Sequence, residues 1–135
     1  MPHRFLRDRS GASAVEFALI AAPLALLLLG SLEYGRLLYL RQAIDDTAIA
    51  AARCAGVLEP GCTQDGAYDL VATRSHIVGM AAGRGIDIAL DDIAVDRAAT
   101  CAGITGFSRV TIAYSIDSAF PVEMAGSSEA CFPNQ

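Results

Sequence analysis

Apolar positions crowd one end of the chain. From Ala12 to Leu32 nearly every residue is apolar or small, and Glu16 is the single charged side chain. Residues 12–32 as an α-helix reach about 31 Å, close to the hydrocarbon thickness of a bilayer. That stretch predicts a membrane span. After Glu33 the pattern changes to an amphipathic one. Tyr34, Leu37, Leu38, Ile44, Ala48 and Ala52 recur at helical spacing, while Arg36, Arg41, Asp45 and Asp46 fall mainly on other faces. No breaker intervenes before Gly56, and Pro60 follows it. The expectation is one helix over 12–53, about forty residues long, with an apolar half and an amphipathic half. Pro23 removes a hydrogen bond inside it and is expected to kink or loosen the span.

The remainder, 54–135, is long enough for one small exported domain. A loop over 54–64 precedes a second helix, expected from Gln64 or Asp65 to Ala82. Its inward positions at helical spacing would be Tyr68, Val71, Ala72, Ile77 or Ser75, Val78 and Ala82. Gly83-Arg84-Gly85 ends it. Ile86 to Leu90 alternates weakly, and Asp91-Asp92 interrupts it. Strands are expected over 93–97 and 107–117, paired antiparallel, with a short third over 128–132. Residues 98–106 read as a loop, and Pro121 as a stop. The fold class is α+β: a long N-terminal helix, a second helix and a small antiparallel sheet.

Charge orients this layout. Arg4, Arg7 and Arg9 precede the span against one acid, Asp8. A basic flank stays cytoplasmic, so the C-terminal domain should lie on the other side. The chain has a net charge of −5 and no lysine. This acidic balance argues against nucleic acid as a partner, which needs a basic face.

Four cysteines, Cys54, Cys62, Cys101 and Cys131, all follow the span. An even count on the exported side reads as two disulfides. Glu59-Pro60-Gly61 is a turn signal that favours Cys54 with Cys62. Cys101 with Cys131 is then left by elimination, although three connectivities exist in principle. Zinc is the rival reading, disfavoured by the lack of a C-x-x-C pair and by the single nearby histidine, His76. Asp87, Asp91, Asp92 and Asp96 lack the EF-hand order and read as a solvated acidic edge. Gly79, Gly83 and Gly85 follow a helix and lack the dinucleotide-loop order. No catalytic constellation and no cofactor motif is apparent, and the chain is not expected to be an enzyme.

Glu16 remains. A carboxylate at the centre of a spanning helix costs about 2.5–3.5 kcal/mol on insertion scales, less near an end, and such residues usually serve a purpose. Gly11-Ala12-Ser13-Ala14-Val15-Glu16-Phe17 resembles the processing site of type IV pilin-like proteins: a glycine, four residues, then Glu-Phe. With the Leu-rich span ending Leu32-Glu33-Tyr34-Gly35-Arg36, it is similar to the TadE-like pseudopilins of tight-adherence (Tad/Flp) pilus systems.

The resemblance implies several things. Residues 1–11 would be a leader that a prepilin peptidase removes by cutting between Gly11 and Ala12. Losing three Arg and one Asp would take the net charge from −5 to −7. Glu16 would then be the fifth residue, paired with the new ammonium of Ala12 in a neighbouring subunit. Phe17 and the apolar run would hold the subunit in the inner membrane, with one span, a cytoplasmic N-terminus and a periplasmic domain. In an assembled pilus that domain would become extracellular. The implied function is a minor pilin or pseudopilin in pilus biogenesis and adhesion, with the prepilin peptidase, other pilins and the assembly platform as partners. Two other readings stay open: a soluble domain released by a signal peptidase, and an uncleaved single-span binding or scaffold domain.

Overall fold

The computed structural model describes residues 10–119 and 123–135. Residues 1–9 of the expected leader 1–11, and the expected stop at Pro121, lie outside them. The chain divides into two compact units, Met1–Arg36 and Leu37–Gln135.

The first helix, α1, runs over Ser10–Val57 and contains Pro23 without a break in its assignment. It is longer at both ends than the expected 12–53. Its true stop is not Gly56. Leu58 takes a left-handed φ of 58°, and the Glu59 N–H donates back to the Cys54 carbonyl at 3.1 Å. This six-to-one bond is that of a Schellman stop, here with leucine where glycine is usual. Gly56 serves close packing instead: a Cβ there would lie 2.9 Å from Phe132 Cδ1.

Beyond α1, Pro60–Cys62 forms one 3-10 turn. A two-residue hairpin follows, β1 (Thr63–Gln64) with β2 (Ala67–Tyr68). Its turn residues, Asp65 and Gly66, have φ of 53° and 80°, the mirror-image turn that Asp-Gly favours. The second helix, α2, is Leu70–Ala82. It therefore starts later than the expected 64 or 65, because Asp-Gly spends those residues on the hairpin. Asp69 caps it, its carboxylate accepting from the Ala72 N–H at 2.6 Å.

The buried face of α2 also differs from the expected one. Thr73, Ile77 and Ala81 are buried, whereas Val71 is 72% exposed. Thr73 hides its hydroxyl by donating to the Asp69 carbonyl at 2.6 Å, so a polar residue fills a core position without an orphaned donor.

Ile86 and Ile88 are buried at alternate positions, in extended chain that ends in a 3-10 turn at Leu90–Asp92. The sheet is a three-stranded antiparallel meander, β3 (Ile93–Cys101), β4 (Ile104–Asp117) and β5 (Glu123–Pro133), in the order β3-β4-β5. Residues 98–106, expected as a loop, are mostly strand. Only Ala102 and Gly103 turn, with φ of 52° and 81°, so that Cys101 opposes Ile104. A bulge between Asp96 and Ala99 interrupts the pairing of β3 with β4. The third strand is longer than the expected 128–132 for the same reason that periodicity understated it: Gly126, Ser127 and Ser128 are poor strand formers, held in place by continuous pairing with β4.

The core of the second unit joins α1, α2 and one face of the sheet. Ile44, Ala48 and Ala52 of α1 pack with Ile77 and Ala81 of α2 and with Ile93, Val110 and Ile112 of the sheet. Small residues on α1 let the other elements approach its backbone closely. Both disulfides belong to this unit, Cys54–Cys62 and Cys101–Cys131.

Candidate functional site: the exposed apolar helix

Gly11, Ala12, Glu16 and Phe17 all lie in the first turns of α1. Ala12 and Glu16 are one helical turn apart along it. Glu16 is exposed, and Phe17 is 72% exposed. Phe17 continues into Leu19, Ile20, Leu24 and Leu26 to Leu29, all exposed. Among the described residues, none covers the most apolar window of α1, and α1 is the one helix long and apolar enough to cross a membrane. A soluble protein leaving this much contiguous apolar surface open would associate through it. The single N-terminal apolar helix indicates membrane anchoring.

Two polar features of this segment are satisfied within the helix. Ser31 Oγ donates to the Leu27 and Leu28 carbonyls at 2.8 and 3.0 Å, an arrangement that lets a hydroxyl sit in an apolar medium. Arg36 and Glu33 pair at 3.0 Å just beyond the apolar run. Gly30 and Gly35 have open space around them within the chain. They give the helix a narrow profile at those positions.

The other candidate chemistry does not converge. Among the described residues no three His, Cys, Asp or Glu side chains come together to hold a metal ion. All four cysteines are consumed in disulfides. His76 is exposed and lies against the Gly61 backbone, where an added Cβ would meet the imidazole at 2.6–2.7 Å. Neither this contact nor that of Gly56 with β5 has a local signal in the sequence.

No curated protein and no solved structure matches the chain. Residues 11–53 match the family model described as TadE-like protein. The matched segment begins at the glycine of the Gly-x4-Glu-Phe run and ends one residue before the first cysteine. This segment, which holds Glu16 and the whole uncovered apolar run, is similar to the TadE-like family, and the match does not extend into the disulfide-bonded domain.

Proposed function

We propose that this protein is a minor pseudopilin of a tight-adherence pilus system, matured by a prepilin peptidase that cuts between Gly11 and Ala12. One observation carries the reading: the family match coincides with the helix segment that joins Gly11, Glu16 and Phe17 to an uncovered apolar face. The basic residues Arg4, Arg7 and Arg9 hold the leader in the cytoplasm, and the disulfide-bonded domain is periplasmic. Cutting creates an ammonium on Ala12. In an assembly of packed α1 helices, Glu16 of one subunit compensates the ammonium of another. A buried charge that would be costly alone then sets the stagger between neighbours. The chain is a substrate and a structural part, with no reaction of its own. Its partners are the peptidase, other pilins and the assembly platform.

The test is the N-terminus of the protein isolated from membranes, with and without the prepilin peptidase. A start at Ala12 that depends on the peptidase is expected. A start near Ser31 or later would overturn the reading in favour of a released domain, and an intact leader in both samples in favour of an uncleaved anchor. Glu16→Gln separates the second claim: cutting should survive while co-purification with partner pilins is lost. Normal pili from this variant would sink the charge-pairing role.

A further inference from the structure

The sheet has two edges, and they are finished differently. On β3 the bulge between Asp96 and Ala99 breaks the ladder. There the Asp96 carboxylate takes the Ala98 N–H at 2.9 Å, and the Arg97 carbonyl accepts from Asn134 Nδ2 at 2.7 Å. A bulge and inward-turned polar groups are how edges are kept from adding strands. On β5 the register with β4 runs from Glu123 to Pro133 with no shift. The strand has no Lys or Arg and no proline before Pro133.

The ladder says which backbone groups of β5 point away from β4. Phe107 opposes Pro133, and the Asn134 N–H donates to the Gly106 carbonyl at 2.9 Å. Hydrogen-bonded pairs alternate along an antiparallel ladder. The even residues of β5 therefore bond to β4, and Glu123, Ala125, Ser127, Glu129 and Cys131 turn their N–H and C=O outward. Two observations agree with this parity. Gln135, next in the odd series, gives its N–H to the Gly56 carbonyl of α1 at 3.2 Å, away from β4. Pro133, which has no N–H, also falls in the odd series, the side on which a strand tolerates proline. Among the described residues no hydrogen bond covers the outward groups from Glu123 to Cys131.

We propose that this edge is an interaction surface for the same strand of a second copy of this chain, paired antiparallel about a two-fold axis at Ser127. The five outward residues are self-complementary in that register. Ser127 opposes Ser127 of the second copy, Ala125 opposes Glu129, and Glu123 opposes Cys131. Each pair exchanges two backbone hydrogen bonds, and no acid faces an acid. Centring the axis on Gly126 would set Glu123 against Glu129 twice, a like-charge penalty that selects against it. Ala125, Gly126, Ser127 and Ser128 present little bulk at the centre. A two-fold pairing closes on itself, so the open edge is used up in a dimer and templates no fibre. The inference rests on the sheet alone and is independent of the pilus reading.

Cysteine cross-linking of the full chain in detergent micelles tests it. Opposed residues in a hydrogen-bonded pair have Cα atoms about 5.5 Å apart, within disulfide reach. Ser127→Cys should shift from monomer to dimer mobility on mild oxidation, and Ala94→Cys on the other edge and Ala113→Cys on the middle strand should not. Mixed Ala125→Cys and Glu129→Cys chains should link to each other and not to themselves. Ser127→Pro removes one outward N–H without touching the β4 ladder, and it should return the wild-type dimer to monomer in sedimentation. Equal linking at Ala94, self-linking of Ala125→Cys, or a wild-type chain that stays monomeric would overturn the proposal. So would linking of Ser127→Cys in cell membranes to a polypeptide other than this chain.

Discussion

Gly56 of α1 and Phe132 of β5 meet so closely that no side chain fits between them. A Cβ on Gly56 would lie 2.9 Å from Phe132 Cδ1 and 3.0 Å from the Pro133 carbonyl oxygen. The last turn of α1 and the end of β5 are thereby joined, and the Gln135 N–H closes the contact on the Gly56 carbonyl at 3.2 Å.

Gly56→Ala sets two effects against each other. Alanine gains about 1 kcal/mol of helix propensity, and overpacking against a ring and a backbone carbonyl costs about 1–3 kcal/mol. The expected outcome is net destabilisation, read as a lower urea midpoint. Gly35→Ala, inside the same helix with nothing within 4 Å, gains the propensity without the clash and should not lower that midpoint.

Gly61→Ala forces its Cβ into the His76 imidazole. The substitution should destabilise by about 1–3 kcal/mol. Because His76 is exposed, Gly61→Ala with His76→Ala should recover most of that loss. Thermal unfolding of the two single variants and the double variant measures the coupling. Additive effects would show that the contact carries no energy.

The two disulfides should open in order. Cys54 and Cys62 are buried, whereas Cys131 is exposed, and a reductant must reach sulfur to attack it. Brief reduction of the folded protein, alkylation and mass spectrometry should find label on Cys101 and Cys131 first. Their separation of 30 residues against 8 for the other pair also makes the exposed bridge the larger constraint on the unfolded chain, about 3.6 against about 2.5 kcal/mol in the chain-entropy picture.

Ala102 holds a φ of 52° in the β3–β4 turn, next to Gly103 at 81°. Alanine is a poor residue for that conformation, and Asn-Gly is the favoured pair. Ala102→Asn should raise the unfolding midpoint by the equivalent of about 0.5–1 kcal/mol. An unchanged or lower midpoint would refute the turn assignment.

Much of this was visible along the chain because it rests on local physics. The uncovered half of α1 follows from an apolar run too long and too uniform for a small core. The β4 strand follows from alternating β-branched residues. Two starts were legible but outweighed: Asp65-Gly66 marks a hairpin and Asp69 a cap, yet apolar period alone extends α2 across both.

The sequence by itself determined the anchor, the Gly11-to-Phe17 run and the favoured pairing of Cys54 with Cys62, since each depends on residues near one another in the chain. The tertiary structure alone decided that Gly56 packs instead of breaking, that Thr73 is core, and that β5 runs eleven residues through Gly126 and two serines. Those outcomes depend on partners outside the local segment, from about ten residues away for Thr73 and Cys62 to 76 for Gly56 and Phe132. Continuous pairing with β4 holds a strand that propensity would not, and the Tyr114 ring lies against Gly126 where a side chain would otherwise be.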